Sequence, residues 1–385
     1  MPATSSSLIP AVTEQLAGRV AEVERAALVT ALAEIPDPRG RRGVRHRAGA
    51  VLAVAVCAVL AGCRSFSAIG QWATAAGDRV RDELGIAGDM PCESTIRRLL
   101  QRLDGDTLDA AFGTWAAGKT PVKHGKSRVV AVDGKRLRGS GGPDVAPRHL
   151  LSALDHRHSV VLAQRAAGDK TSEIGEFIPT VDTLNELSGV VVTADALHAQ
   201  RGHAEALHAR GAHYVLTAKG NQHSLHRQLK SLPWKDVPAL SSLREHAHGR
   251  VERRTVKVVT VSDLLFPHAR QAIRITRSTR RAGSRHWTRR TAYAVTSLAA
   301  EQASATELAA IIRGHWRIEA LHWIRDVTYD EDRSQTRTGQ GPRVMASLRN
   351  LAITLHRLTG ATNIAAALRD HAWNPHKTAK LLMTS

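Results

Sequence analysis

The chain has 385 residues, with 54 Lys and Arg against 35 Asp and Glu, a formal charge of +19 and a sequence pI near 10.8. With 43% hydrophobic and 23% charged residues it holds enough apolar material for packed cores, which excludes a disordered tail or a coiled coil; the length favours two domains over one. The three cysteines, Cys57, Cys63 and Cys92, form no C-x-x-C pair, which excludes a disulfide framework and a thiolate zinc site and fits a reducing cytoplasm.

Residues 1–10 read as unstructured, and 11–34 as an amphipathic helix with Glu14, Arg19, Glu22 and Arg25 on its polar face. The basic, turn-rich PDPRGRRGVRHR follows. Residues 48–63, AGAVLAVAVCAVLAGC, imitate a membrane anchor, but 16 uncharged positions are too few for a span of about 20. They also lie too far inside the chain for a secretory signal. A buried helix and a soluble protein without a membrane partner are predicted, and so basic a soluble protein points to nucleic acid. Residues 65–76 and 93–103 read as further helices separated by Gly85, Gly88 and Pro91, closing a helical module near residue 118. Ser94 suits the N-cap of the second, which carries Arg97, Arg98 and Arg102. Such a helix reads DNA in helix-turn-helix proteins, though arginines on a helix also simply face solvent.

From residue 128 the texture changes to short β-branched runs: RVVAVDGKRL, RHLLSALD, SVVLAQRA and GVVVTADAL, with a helix-like SEIGEFIPTVDTLNEL between the last two. YVLTAKGNQ and a helix-like HSLHRQLK come next. Residues 244–290 then carry 13 Lys and Arg against three acids, and within them RRTVKVVTV and QAIRITRST alternate as strands do. Residues 305–327 and 341–358 return to helical periodicity.

Asp133 ends the apolar run VVAVD and Asp195 ends VVVTAD. Acids at the ends of neighbouring strands point into one crevice, where like charges are tolerable when a cation neutralises them; hard oxygen ligands of this kind suit Mg²⁺. Either Asp alone is equally what caps a turn. On the helix containing IIRGHWRIEALHWIRD, Ile312, Trp316, Glu319 and Trp323 share a stripe, an unusual place for a solvated acid. His315, Glu319, His322 and Asp326 also follow helical spacing and allow a zinc reading, although no H-E-x-x-H occurs. The histidines at five-residue intervals, His198, His203, His208 and His213, match neither period and read as composition.

In order and spacing, DPRGRRG, CAVLAGCRSFSAIGQWA, VAVDGKRLRGS, LLSALDHRHSVVLAQ, EIGEFIP, VVVTADALHAQ, YVLTAKGNQ, HGRVERR, HWRIEALHWIRDVTYDED and LRNLAITLHRL resemble the DDE transposases of bacterial insertion sequences. The type is that of the H-repeat-associated proteins, and the resemblance covers roughly residues 30–360. It implies an α/β, ribonuclease-H-like catalytic domain at 126–360 with a basic β-rich insertion at about 231–296, an all-α, DNA-binding domain at 1–118 and a tail at 361–385. It further implies a catalytic, metal-holding triad of Asp133, Asp195 and Glu319, with Mg²⁺, or Mn²⁺ as substitute, in two-metal phosphoryl transfer. The implied partners are double-stranded DNA, as terminal inverted repeats and as target, and further copies of the chain, in the cytoplasm.

One departure stands out. Related transposases place the glutamate in a Tyr, Arg, Glu, Lys signature, and Ile312, His315 and Asp326 occupy the other three places here. Phosphate contacts then either fall to other cations, with Arg313 and Arg317 as candidates, or are absent, and Asp326 rivals Glu319 as third ligand. Lys135 and Lys219 are candidate phosphate ligands or solvated lysines. Arg250, Arg253 and Arg254 form either a basic edge along DNA or a plain charged strand face. A catalytically inactive DNA-binding remnant and a metal-dependent nuclease of the same fold are the competing functions.

Overall fold

The computed structural model describes residues 28–385 apart from 41, 43, 143, 144, 169–171, 185, 240 and 248. The helix expected over 11–34 lies mostly outside these residues, and its described end is α1 (Leu28–Ala33). Two compact units form, one from residues up to Pro121 together with Tyr329–Ser385, the other from Val122–Thr328.

In the first unit the apolar run becomes α2 (Ala48–Leu60), buried along nearly its whole length. A helix apolar all round needs neighbours on every side. It finds them in α1, in α3 (Phe66–Ala75, capped by Ser65) and in α5 (Glu93–Leu100), which follows the short α4 (Gly77–Glu83). The N-cap of α5 is Cys92, not Ser94, and Arg102 lies in the turn beyond the helix. Asp104 caps α6 (Gly105–Lys119) through the backbone N–H groups of Asp106 and Thr107.

The second unit is built on one nine-stranded sheet. Its strands are β1 (Val129–Arg136), β2 (His149–Asp155), β3 (Val161–Ala167), β4 (Val191–Ala194), β5 (His213–Ala218), β6 (Ser241–Ala247), β7 (Arg250–Thr260), β8 (Gln271–Arg281) and β9 (Thr288–Thr296), in the order 3-2-1-4-5-9-8-7-6. β1 to β3 form an antiparallel meander, β1, β4 and β5 are parallel, and β9 returns antiparallel to β5. The basic segment expected as an insertion therefore extends the same sheet. Helices α7 (Glu173–Asp182), α8 (Arg201–Ala209) and α9 (His223–Ser231) connect the strands. α7 packs on β2 and β3, and α10 (Ala305–Trp323) packs on β1, β4 and β7. The core under α10 gathers Val191, Val215, Val256, Ile273 and Ala294 from the strands, joined by Leu308 of α10 itself.

Chain order does not follow the units. α11 (Gly341–Leu358), expected in the catalytic domain, packs with α2 and α6 of the first unit. Its polar residues explain why. Arg343 pairs with Asp109 at 3.0 Å and Asp106 at 2.7 Å, and Arg349 with Glu331 at 2.9 Å with both side chains 2% exposed. Such charges are tolerated in a core when they are matched. The segment expected as a tail at 361–385 is helical, forming α12 (Ile364–Trp373) and α13 (Pro375–Met383), which bury Leu368 and Leu382 in the same unit.

Candidate active site and nucleic-acid interface

Asp133 lies within β1 rather than at its end, since Gly134, Lys135 and Arg136 continue the pairing with β2; Asp195 directly follows β4. The parallel register Val132↔Ala194 sets the two aspartates side by side on adjacent strands. Asp133 accepts from the Gly134 N–H at 2.9 Å, and Asp195 from the Leu197 N–H at 2.8 Å, capping a 3₁₀ turn at Ala196–His198. Burial and then the charge of Asp195 push the Asp133 carboxyl up to about 7; Glu173 and Glu319 add to this against the Gly134 hydrogen bond. A buried carboxylate beside like charges is relieved by a cation.

Glu319 projects from α10, but the stripe it shares with Trp316 and Trp323 is the exposed side of the helix. Trp316 is 47% and Trp323 61% exposed, and the helix buries Leu308, Ile318 and Leu321 instead. The expectation of a buried stripe is therefore reversed, because aromatic residues there were read as core.

The row read as possible zinc ligands does not converge. His315 Nδ1 lies 2.9 Å from Thr193 Oγ1, which also meets His156 Nε2 at 3.1 Å; His322 Nδ1 stands 3.6 Å from Asp133; Asp326 pairs with Lys135. Among the described residues no three His, Cys, Asp or Glu side chains are gathered tightly enough to hold a metal ion as they stand. The aspartate pair with Glu319 nonetheless fits Mg²⁺ in kind, being a set of hard oxygen donors around uncompensated charge.

Asp326, the rival third ligand, and Lys135, a candidate phosphate ligand or solvated lysine, pair with each other instead. Lys135, 7% exposed, directs its ammonium at Asp326, so the lysine is not a surface phosphate ligand and the acid's charge is answered locally. Burial holds His315 well below the usual histidine range, at about 4, with the field of Asp195 opposing and His198 and Lys219 assisting.

A cavity of about 550 Å³ opens between α10 and the extended sheet, lined by Asp195, Glu319, His315, Trp316, Lys219 and Arg254 among others. Lys219 is exposed just past β5. The register Arg254↔Arg277↔Arg290 lines up three arginines across β7, β8 and β9 on the cavity wall. Like charges directly opposite are unfavourable without an anion. Glu252 supplies one, bonding Arg254 and, at 2.6 Å, Arg277, and both guanidiniums lie over Trp316 at 5.2 and 5.5 Å. Strand alternation puts Arg250 on the face of Arg254 but turns Arg253 to the other, so the three expected basic residues do not form one edge. In the first unit Arg97 pairs with Glu93 at 3.0 Å, while Arg98 and Arg102 are exposed.

Sequence reasoning missed Arg277 and Arg290, which only the register of β8 and β9 reveals. It also missed a buried cluster on the other face of the sheet: Glu173, 4% exposed, between His149 Nε2 at 2.9 Å and His198 Nε2 at 3.2 Å, with His198 and His203 stacked on Phe177. His198 and His203 were read as composition.

Residues 124–355 match the family described as "Transposase DDE domain", and residues 29–116 match the domain described as "DDE_Tnp_1-associated". The protein named "Putative transposase YncI" from Escherichia coli O157:H7 is 28% identical over 352 residues, covering 86% of this chain and 87% of that one. "H repeat-associated putative transposase YhhI" from Escherichia coli K12 is 27% identical, covering 87% and 91%. Among solved structures, a piggyBac transposase synaptic complex with hairpin DNA is similar at 10% identity and a TM-score of 0.41, over 94% of this chain and 78% of that one. No helix among the described residues is long and apolar enough to cross a membrane. With both characteristic domains matched in order along one chain, the protein belongs to the DDE-domain transposases, of the H-repeat-associated type.

Proposed function

We propose that the chain cleaves the ends of an insertion sequence and joins them to target DNA, with Asp133, Asp195 and Glu319 as the acids of a ribonuclease-H-like catalytic domain. The observation that carries this reading is the aspartate pair on adjacent parallel strands, where burial and then the charge of Asp195 raise the carboxyl of Asp133, facing a helix that brings Glu319. The strand order 3-2-1-4-5, with the acids on the central pair, supports the fold assignment.

Asp133 and Asp195 would hold Mg²⁺ or Mn²⁺ together with Glu319. When bound, the ions activate an attacking water or DNA 3′-hydroxyl and stabilise the charge on the phosphodiester in an in-line displacement. Cleavage leaves a 3′-hydroxyl, and joining uses that hydroxyl as nucleophile, so the chain needs no covalent bond to DNA. Lys219 and the Arg254–Arg277–Arg290 row hold phosphates along the cavity, and Arg98 and Arg102 contact the element ends from the first unit. Copies of the chain pair two ends. The deciding assay supplies a precut end with Mn²⁺: strand transfer is the expected outcome. Cleavage without joining would make the protein a nuclease, and DNA binding without either would make it an inactive remnant.

The basic face gives a quantitative expectation. Each phosphate contact contributes about −0.9 to the slope of log affinity against log salt. Replacing Arg254, Arg277 and Arg290 together by Ala should flatten that slope by up to about 2–3 units on any duplex, whereas Arg253→Ala, on the opposite face, should change it by less than about one. Replacing Arg98 and Arg102 should reduce the preference for element ends over random duplex, measured in the same titrations of the full chain. Equal slopes for the Arg253 variant and the triple variant would remove the row from the DNA path.

A further inference from the structure

Strand alternation sends the side chains of Asp133 and Lys135 toward α10 and the turn that follows it, where they meet His322 and Asp326, and turns Gly134 to the opposite face. Directly beneath Gly134 lies Glu173, at the start of α7. A Cβ on Gly134 would stand 2.4 Å from Glu173 Oε1 and 2.5 Å from His149 Nε2, so the strand carrying Asp133 approaches this carboxylate as closely as only glycine permits. The other oxygen arrangement is just as specific. Glu173 Oε2 faces His149, which arrives on β2, and Oε1 faces His198, which closes the 3₁₀ turn opened by Asp195. His203 braces the same turn from α8, its ring contacting the His198 carbonyl at 3.2 Å and the Ile174 carbonyl at 3.0 Å. One buried carboxylate thus touches the two backbone segments that bear the two aspartates, without touching either aspartate.

We infer that Glu173 is a positioning residue which, with His149 and His198, fixes the spacing of Asp133 and Asp195 from behind the sheet for divalent-metal binding. This rests on the reading of the two aspartates as the metal-holding pair. A carboxylate in this place keeps its charge: burial favours the neutral acid, but the hydrogen bonds and charges of His149 and His198 outweigh it and hold Glu173 at about 2. The ionised form bonds His198 Nε2 through Oε1 and faces the His149 ring at 2.9 Å through Oε2, while a glutamine keeps one acceptor oxygen and turns an N–H₂ toward the other ring. Residues that orient metal ligands through such contacts typically change metal affinity or activity by about 10–100-fold when replaced.

The test is direct Mn²⁺ binding to the full chain, followed by electron paramagnetic resonance of the free ion, beside affinity for a random duplex in EDTA. The parent should bind Mn²⁺ and Asp133→Asn should not. Glu173→Gln should weaken Mn²⁺ binding by about 10–100-fold with EDTA-state DNA affinity unchanged. Gly134→Ala, which forces a methyl onto the same carboxylate, should reproduce the effect. Mn²⁺ affinity of Glu173→Gln within twofold of the parent overturns the proposal, as does a parallel loss of Mn²⁺ and DNA binding, the mark of a merely structural residue. Should Glu173→Gln fail to fold, His149→Gln is read by the same two criteria. A parent that binds no Mn²⁺ instead overturns the assignment of the aspartates themselves, and this inference with it.

Discussion

Asn in place of either Asp133 or Asp195 is expected to reduce Mn²⁺-dependent cleavage of element ends by about 10³-fold or more, with affinity for DNA in EDTA retained. The magnitude follows from losing several kcal/mol of metal-borne charge stabilisation, each 1.36 kcal/mol being tenfold in rate. Neither substitution disturbs packing, since Asn keeps the shape and can still accept from the backbone N–H that each Asp now engages. The third carboxylate is decided by contrast. Glu319→Gln should behave like the aspartate variants, whereas Asp326→Asn, which removes the acid facing the buried Lys135 ammonium, should lower the unfolding midpoint while the folded fraction still cleaves. Full activity in Glu319→Gln together with its loss in a stably folded Asp326→Asn would transfer the role to Asp326.

How far the sequence reaches is visible in these residues. Runs such as VVAVD and VVVTAD are legible as strands because their interiors are buried on both faces, and the aspartates stand out because a charge closes a run of apolar and β-branched residues. Period alone does not tell which side of an amphipathic helix is covered. On α10 the tryptophans are the exposed side and Ile318 and Leu321 the buried one, so a correct period yields the wrong face. β9 is harder still: its first four residues are exposed and its last four buried, so TRRTAYAVT never shows a steady alternation. Partners distant in sequence are not written locally at all. Arg343 meets Asp109 across 234 positions, which carries α11 into the first unit, and Glu173 gains its meaning only from His149, His198 and the missing side chain of Gly134.

The same burial predicts an unusual acid response of the second unit. His156 and His315 share the Thr193 hydroxyl, and burial, the largest cause for both, lowers them to about 3 and about 4. Unfolded imidazoles titrate near about 6.5, so between about pH 6.5 and 4 the unfolded chain binds up to about two more protons at these positions. Stability from this pair is therefore full above about pH 6.5 and falls as pH falls, by up to about 1.4 kcal/mol per pH unit for each group. Asp133 acts in the opposite sense. Its folded value of about 7 lies above the ordinary 3.8, so over the same window the folded chain holds the extra proton and stability from this group rises as pH falls. Two protons against one leave a net slope of about 1.4 kcal/mol per pH unit from the three groups. His156→Gln, which keeps a hydrogen-bonding group for Thr193 without titrating, should bring that slope near zero. Asp133→Asn should roughly double it. Hydrogen exchange of the β4 amides in the metal-free chain from pH 6.5 to 4.5, corrected for intrinsic rates, reports opening of this unit separately from the other. Parallel slopes for parent and both variants would show that these imidazoles already bind protons in the folded chain, and that the Asp133 carboxyl is not raised by burial and the charge of Asp195.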